Sequence, residues 1–300
     1  MHTVATVLGP IPIDALGFSL MHEHVLVRGR GDESALTRTR LALMQLRHNY
    51  VRTIVDATPI DRGRDPAGLV RLAQQSGMNI LAVTGHLDAE RAGELGVSRL
   101  AALFVRELRE GMDGGAARAS LIRTGAGGAA LTAAALRHQA AAAAASNLTG
   151  APIMLRTGRG PGQALSQVDH LLGEGVPGGR IRIEHCLALD LRTAAALAER
   201  GVWLSADRFC CDRPARLARL ARLLREGYAG RMLLSADLSG DPPGDAGEVL
   251  AQGGVPYGWL HLKLSVFKEL SDRGVDADLL FRIAGENPKR FFTECQRKEP

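Results

Sequence analysis

The stretch Ser19-Leu20-Met21-His22-Glu23-His24 decides how this chain folds. It is a short apolar run ending in two alternating histidines, and in a strand the side chains at i and i+2 share a face. His22 and His24 therefore converge on one point at the C-terminal end of a buried strand, where barrel enzymes keep their chemistry. Two imidazoles placed that way make half of a metal site.

Seven further strand-like runs follow: Thr53–Thr58, Ile80–Thr84, Ala119–Arg123, Ile153–Thr157, Ile181–His185, Val202–Asp207 and Met232–Asp237, after Leu20–His24 as the first. Several are continuously apolar, as strands buried on both faces of a parallel sheet must be. Helix-length stretches separate them, among them Asp65–Ser76, Val97–Glu110, Leu131–Asn147, Leu189–Arg200 and Arg213–Glu226. The tract Ala140–Ala145 lies inside strong helix formers and reads as helix. Eight strand–helix units without a disordered linker predict one α/β domain over residues 1–300, a (β/α)8 TIM barrel. A short N-terminal β-hairpin around Gly9-Pro10, within Thr3–Ile13, is expected to close its floor. The competing doubly wound sheet would carry a glycine-rich phosphate turn where this chain has His22-Glu23-His24.

Composition narrows the class. The 300 residues are 46% hydrophobic and 4% aromatic, which suits an aliphatic core, and the net charge of +5 comes mostly from arginines scattered along helices. With no basic block interleaved with aromatics, a nucleic-acid surface is not expected. No apolar run reaches the roughly 18–20 residues of a membrane span, and no secretory-type N-terminus is present. Cys186, Cys210, Cys211 and Cys295 lack framework spacing, so reduced thiols in a cytoplasmic protein are expected.

The strand ends collect the chemistry. The first gives His22 and His24, the third His86, the fourth Arg123, the fifth Arg156, the sixth His185, the seventh Asp207 with Arg208, and the eighth Asp237. A charged or polar residue at nearly every C-terminal strand end is the signature of a barrel active site.

The ordered motifs carry a resemblance. They are Thr6-Val7-Leu8-Gly9-Pro10-Ile11, Leu20-Met21-His22-Glu23-His24, Thr53-Ile54-Val55-Asp56-Ala57-Thr58, Gly63-Arg64-Asp65-Pro66, Asn79-Ile80 with Thr84-Gly85, and Glu110-Gly111-Met112-Asp113-Gly114. Thr149-Gly150-Ala151-Pro152-Ile153, Glu184-His185, Ala206-Asp207-Arg208-Phe209 and Asn287-Pro288-Lys289-Arg290-Phe291-Phe292 continue them. Together they resemble the phosphotriesterase family of the amidohydrolase superfamily, a group of lactonases and other ester hydrolases, over essentially the whole chain.

The resemblance implies two divalent metals at the strand ends, bridged by a hydroxide. It makes His22, His24 and Asp237 ligands of the buried metal and His185 a ligand of the exposed one. It also calls for a carboxylated bridging lysine on strand 4 and a histidine on strand 5. Here the chain departs, with Arg123 and Arg156 at those places, and Ala236 stands where a histidine usually precedes the strand-8 aspartate. A guanidinium stays protonated, offers no lone pair and cannot be carboxylated. A binuclear centre is therefore not expected.

Two readings of the remaining site follow. In the first, His22, His24 and Asp237, with His185 beside them, hold one zinc-like ion in an open site. Asp237 or His185 accepts a proton from its water, and Arg123 and Arg156 grip an anionic ester, lactone or phosphoester. In the second, the arginines replace the metal's charge, and a metal-free pocket carries out elimination, isomerisation or cyclisation. A catalytically inactive binding barrel is the third possibility.

Smaller signals complete the reading. His86 is expected to line the pocket as a substrate-binding residue, as are Asp207 and Arg208, the last two also as an ion pair ordering their loop. His48, His138 and His170 are expected on the surface, and Trp203 and Trp259 in the packing. The segments after His86 and over Ser239–Gly247 read as short loops, which leave a pocket open for a partner subunit to close. The resemblance implies a homodimer acting on a small anionic molecule.

Overall fold

A computed structural model of the chain describes residues 2–26, 33–89, 92, 95–125, 131–158, 162–238 and 258–296. A two-stranded antiparallel hairpin comes first, β1 (Thr3–Thr6) and β2 (Gly9–Pro12). The barrel strands are β3 (Phe18–Glu23), β4 (Val51–Asp56), β5 (Asn79–Gly85), β6 (Leu121–Gly125), β7 (Ile153–Arg156), β8 (Ile181–Ile183), β9 (Trp203–Ala206) and β10 (Met232–Leu234). They pair in chain order, every neighbour parallel. The ring is closed by backbone bonds between its first and last members: Asp237 N–H donates to His22 O at 3.0 Å, and His24 N–H to Leu238 O at 2.9 Å. All eight expected strands are present, and the fold is a (β/α)8 TIM barrel.

Alternation along the strands builds two cores. Met21, Val55, Leu81, Leu121, Met154, Trp203 and Leu233 point inward and pack with Phe291 and Phe292 as the barrel floor. Leu20, Ile54, Ile80, Ile122, Ile153, Leu204 and Met232 point outward beneath the helices. Both tryptophans are buried, as expected. The hairpin seals the floor, where Val7 N–H donates to Ile80 O at 2.9 Å and Ser120 Oγ to Ala5 O at 2.5 Å. The register of β3 on β4 slips between Leu20 and Glu23. Such an irregularity re-aims side chains at a strand end; here Met21 stays in the floor while His22 joins the site above it.

The helices are α1 (Glu33–His48), α2 (Pro66–Ser76), α3 (Val97–Arg109), α4 (Ala133–Thr149), α5 (Gln163–Gly173), α6 (Leu191–Glu199), α7 (Arg213–Arg225), α8 (Phe267–Ser271) and α9 (Ala277–Gln296). Helix α2 shows how the sequence punctuates them. The Asp65 side chain accepts from Gly68 N–H, Pro66 opens the helix, and Gly77 closes it at φ 67°.

His138, expected on the surface, is fully buried. Its helix α4 is mostly alanine, so no contrast between apolar and polar faces marks its inner side. The small residues Ala141, Ala142, Ala143 and Ala145 let the helix lie against the sheet, and His138 Nδ1 meets Thr124 Oγ1 at 2.8 Å. His48 is exposed and His170 half-buried. The Ser239–Gly247 loop lies outside the described residues. Among the described residues, no helix is long and apolar enough to cross a membrane.

Candidate active site

Every expected strand-end residue lies at the C-terminal rim. Three consecutive strand exits make the same unusual turn: His185 (φ 55°), Arg208 (φ 57°) and Asp237 (φ 56°) are all left-handed and none is glycine. That conformation costs on the order of 1 kcal/mol or more per residue and persists where surroundings enforce it, commonly at functional sites.

Asp237 is the hub. Its Oδ1 lies 3.4 Å from His22 Nε2 and 3.6 Å from His24 Nε2, while its Oδ2 accepts from Arg208 Nε at 2.6 Å and lies 3.7 Å from His185 Nδ1. Zinc–ligand bonds of about 2.0–2.1 Å in tetrahedral geometry separate neighbouring ligand atoms by about 3.4 Å. Each histidine nitrogen thus stands from Asp237 Oδ1 at about the spacing that two ligands of one divalent ion require.

Their orientation agrees. His22 Nδ1 donates to Asp207 Oδ2 at 3.0 Å. His24 Nδ1 donates to Thr58 Oγ1 at 2.9 Å, and that hydroxyl donates on to Asp56 Oδ1 at 3.0 Å. With both Nδ1 atoms protonated and held, both Nε2 atoms present lone pairs toward Asp237 Oδ1. One contact competes: Arg123 Nη2 lies 3.3 Å from His22 Nε2, a bond that an ion held there would have to replace.

A buried ion pair stands beside this cluster, on the strand where the resemblance implies a bridging lysine. Arg123 Nε and Nη2 donate to Glu184 Oε1 and Oε2 at 2.7 and 2.6 Å, and Arg123 Nη1 donates to Ala57 O. Burial alone would raise the Glu184 carboxyl, but Arg123 and the neighbouring histidines hold it down to about 2. Glu184 Oε2 lies 3.5 Å from His185 Nε2, which makes no hydrogen bond.

The match to known proteins agrees with this rim. The model of the phosphotriesterase family covers residues 2–292. The chain belongs to the phosphotriesterase family. It is 29% identical to a phosphotriesterase homology protein of Mycobacterium tuberculosis, over 97% of this chain and 98% of that one. It is 25% identical to an aryldialkylphosphatase of Saccharolobus solfataricus, over 93% and 95%. It is 26% identical to a phospho-furanose lactonase of Mycoplasmopsis synoviae, over 98% and 93%. Membership in the phosphotriesterase family places the chain among hydrolases whose members bind divalent metals, and the described residues include a His/Asp group able to hold one.

Asp207 stands closer to the phosphotriesterase-family centre than the sequence suggested. His22, His185, Asp207 and Asp237 each bring a donor atom within 4.8 Å of the others. Asp207, expected to shape the pocket and pair with Arg208, is fully buried; it accepts from His22 Nδ1 and, at 2.7 Å, from His185 Nδ1. Burial opposes its ionisation, yet the two histidines hold it well below the usual carboxylate range. Both its oxygens are thus occupied orienting rings, and Arg208 pairs with Asp237 instead.

Arg123 needs a correction. It was expected to grip substrate, but it is 2% exposed and its guanidinium is committed to Glu184 and Ala57. Arg156 is half-buried at the end of β7 and has no acceptor among the described residues. Burial lowers its pKa, with Arg123 and Arg208 adding to the effect against the pull of Glu184. The His86 ring stands 6.1 Å from Phe104 and 6.0 Å from His138, toward the helices.

Two acidic groups escaped the sequence reading. Glu184 precedes His185 in the chain, and no role was expected for it. The signal for it was available, because a buried arginine in place of a metal bridge demands a counter-charge nearby. Glu23, between the two histidines, points away from them. It accepts from Ser235 Oγ at 2.7 Å, Ala236 N–H at 2.8 Å and Leu238 N–H at 2.7 Å, tying β3 to the turn that carries Asp237. Burial nevertheless pushes its carboxyl up to about 8.

Proposed function

We propose that the protein is a mononuclear hydrolase that cleaves an ester, lactone or phosphoester bearing an anionic group. The observation that carries this reading is the spacing of His22 Nε2 and His24 Nε2 from Asp237 Oδ1, beside Arg123, which is paired with Glu184 where the resemblance implies a bridging lysine. One divalent ion, zinc by its nitrogen and oxygen donors, supplies Lewis acidity and acidifies water near neutral pH.

The protein's own groups supply the rest. The bond from His185 Nδ1–H to Asp207 Oδ1 fixes the ring so that Nε2 keeps its lone pair, the atom suited to take a proton from attacking water. Arg156, without an acceptor among the described residues, and Arg208, with a side chain 40% exposed, receive the substrate's anionic group. The phosphate in the name of the lactonase relative is an anion of that kind. A homodimer in the cytoplasm acting on a small anionic molecule belongs to the same reading.

A metal-independent lyase, isomerase or cyclase is the second reading, favoured by the contact of Arg123 Nη2 with His22 Nε2 at 3.3 Å. An inactive barrel is disfavoured because the Arg208–Asp237 bond uses only Oδ2 and leaves Oδ1 facing both histidines. Metal analysis of the purified protein decides. About one equivalent, with activity on anionic esters or lactones lost in chelator and restored by zinc, is the expected result. Two tightly bound ions overturn the mononuclear reading, and activity that persists in chelator selects the second.

A further inference from the structure

The loop from Asp207, after β9, to Arg213, at the start of α7, carries two adjacent thiols that the hydrolytic reading does not use. Cys210 and Cys211 are free and partly exposed, with Sγ atoms 3.8 Å apart. They end a turn closed by Cys211 N–H donating to Arg208 O at 3.0 Å, and left-handed residues bracket it, Arg208 and Asp212 (φ 43°). The residue that opens this turn is the one whose Nε holds Asp237. The other two cysteines, Cys186 and Cys295, are buried.

We propose that Cys210 and Cys211 are a vicinal dithiol that closes to a cyclic disulfide, a modification site on the rim of the active site. The oxidant is a low-molecular-weight disulfide. The thiolate of one cysteine attacks it, one small thiol leaves, and a mixed disulfide remains. The neighbouring cysteine gives up its proton, attacks the protein-bound sulfur of that bond and expels the second small thiol. The pair loses two electrons and two protons, and the external disulfide is reduced to two thiols.

Closure brings the sulfurs from 3.8 Å to about 2.05 Å and forms an eight-membered ring that contains the Cys210–Cys211 peptide. So small a ring is strained, which makes the bond readily reducible and the modification reversible. Burial, with the neighbouring thiol, pushes Cys210 up to about 12, so exchange is slow at neutral pH and speeds in alkali. The ring peptide supplies the N–H that closes the turn on Arg208 O, so closure breaks that bond and loosens the turn that carries the residue clamping Asp237.

The test uses the full-length protein and excess oxidised glutathione at mildly alkaline pH. Intact mass should fall by about 2 Da, the two hydrogens lost, with peptide mapping placing the link between Cys210 and Cys211. Cys210→Ser and Cys211→Ser should each stop at a single glutathione adduct. Deuterium exchange at the Cys211 amide should be at least about tenfold faster in the oxidised protein, since its turn bond is broken. A wild-type protein that only accumulates adducts, or a 2 Da loss that survives Cys211→Ser, overturns the dithiol. Unchanged exchange over residues 208–212 and at 237 overturns its coupling to Arg208. None of these readouts depends on metal or on hydrolysis.

Discussion

Replacing Glu184 by glutamine tests whether Arg123 and Glu184 form a coupled buried ion pair. Both partners are buried, at 2% and 1% exposure, and joined by two parallel bonds of 2.7 and 2.6 Å. The amide keeps the shape but removes the charge, and its NH2 must face a guanidinium. Breaking a buried pair by removing one partner's charge costs about 3–5 kcal/mol. An unfolding entropy of about 2.1 cal/mol/K per residue, over 300 residues, makes each kcal/mol worth about 1.6 °C, so Tm should fall by about 5–8 °C. Calorimetry and urea unfolding measure this on metal-free protein. Arg123→Met should cost a similar amount, and Arg123→Met with Glu184→Gln markedly less than the two single losses added, because no charge is left unpaired. A loss below about 1 kcal/mol for Glu184→Gln, or strict additivity in the double variant, would refute the pair as a coupled buried unit.

Other expectations follow from the same geometry. Thr58→Val removes the acceptor that holds His24 Nδ1 and should weaken zinc affinity about 10–100-fold by competition with a chromophoric chelator, while Thr58→Ser restores it. Arg123→Lys with Arg156→His should still bind at most one ion by metal analysis, because Glu184 pairs with the new ammonium and keeps it from carboxylation. Burial raises Glu23 from 4.5 to about 8 and Asp56 from 3.8 to about 7, so the folded protein binds the extra protons. Their contribution is complete below the unfolded values and is lost as pH rises through the folded ones. Burial works the other way on His24 and His138, lowered from 6.5 to about 3 and about 4, and offsets this loss below about pH 6.5. Metal-free protein should therefore lose stability chiefly between about pH 6.5 and 8, and Asp56→Asn should make stability rise more steeply with pH below about 6.5 in urea unfolding. Arg156→Ala should raise KM for an anionic ester at least about tenfold and leave a neutral ester almost unaffected, as steady-state kinetics would show.

Strand positions were legible because a parallel barrel strand is buried on both faces and writes itself as an uninterrupted apolar run. The observed strands differ from the expected ones chiefly at their ends, where Asp237, Asp207 and His185 leave the ladder for the loops. Helix faces were harder to read. In α4 alanine lies on every side, so the buried place of His138 is decided by the sheet beneath it and not by local pattern. The rim residues could be collected one strand at a time, since each sits at a strand end. Their pairings could not, because they cross the barrel: Glu184 to Arg123, Asp207 back to His22, Arg208 forward to Asp237. Knowing which arginine is committed and which is free needs distances.

Those cross-barrel pairings explain how a rim with so many arginines can still hold a cation. Arg123 and Glu184 cancel each other within hydrogen-bond distance, and Arg208 is offset by the second oxygen of Asp237. Beside His22, His24 and Asp237 Oδ1 the charge left over is that of Asp207, held well below the usual carboxylate range by His22 and His185. Arg156 remains without an acceptor among the described residues, at the end of the neighbouring strand. Separated charge of that kind suits one cation beneath and one substrate anion above. It also locates the change of chemistry: if Arg123 were deprived of Glu184, its cation would face the metal position uncompensated. The arginine at the fourth strand and the glutamate at the sixth are therefore expected to function as one unit, and replacing either alone should weaken zinc binding or stability more than replacing both with neutral residues.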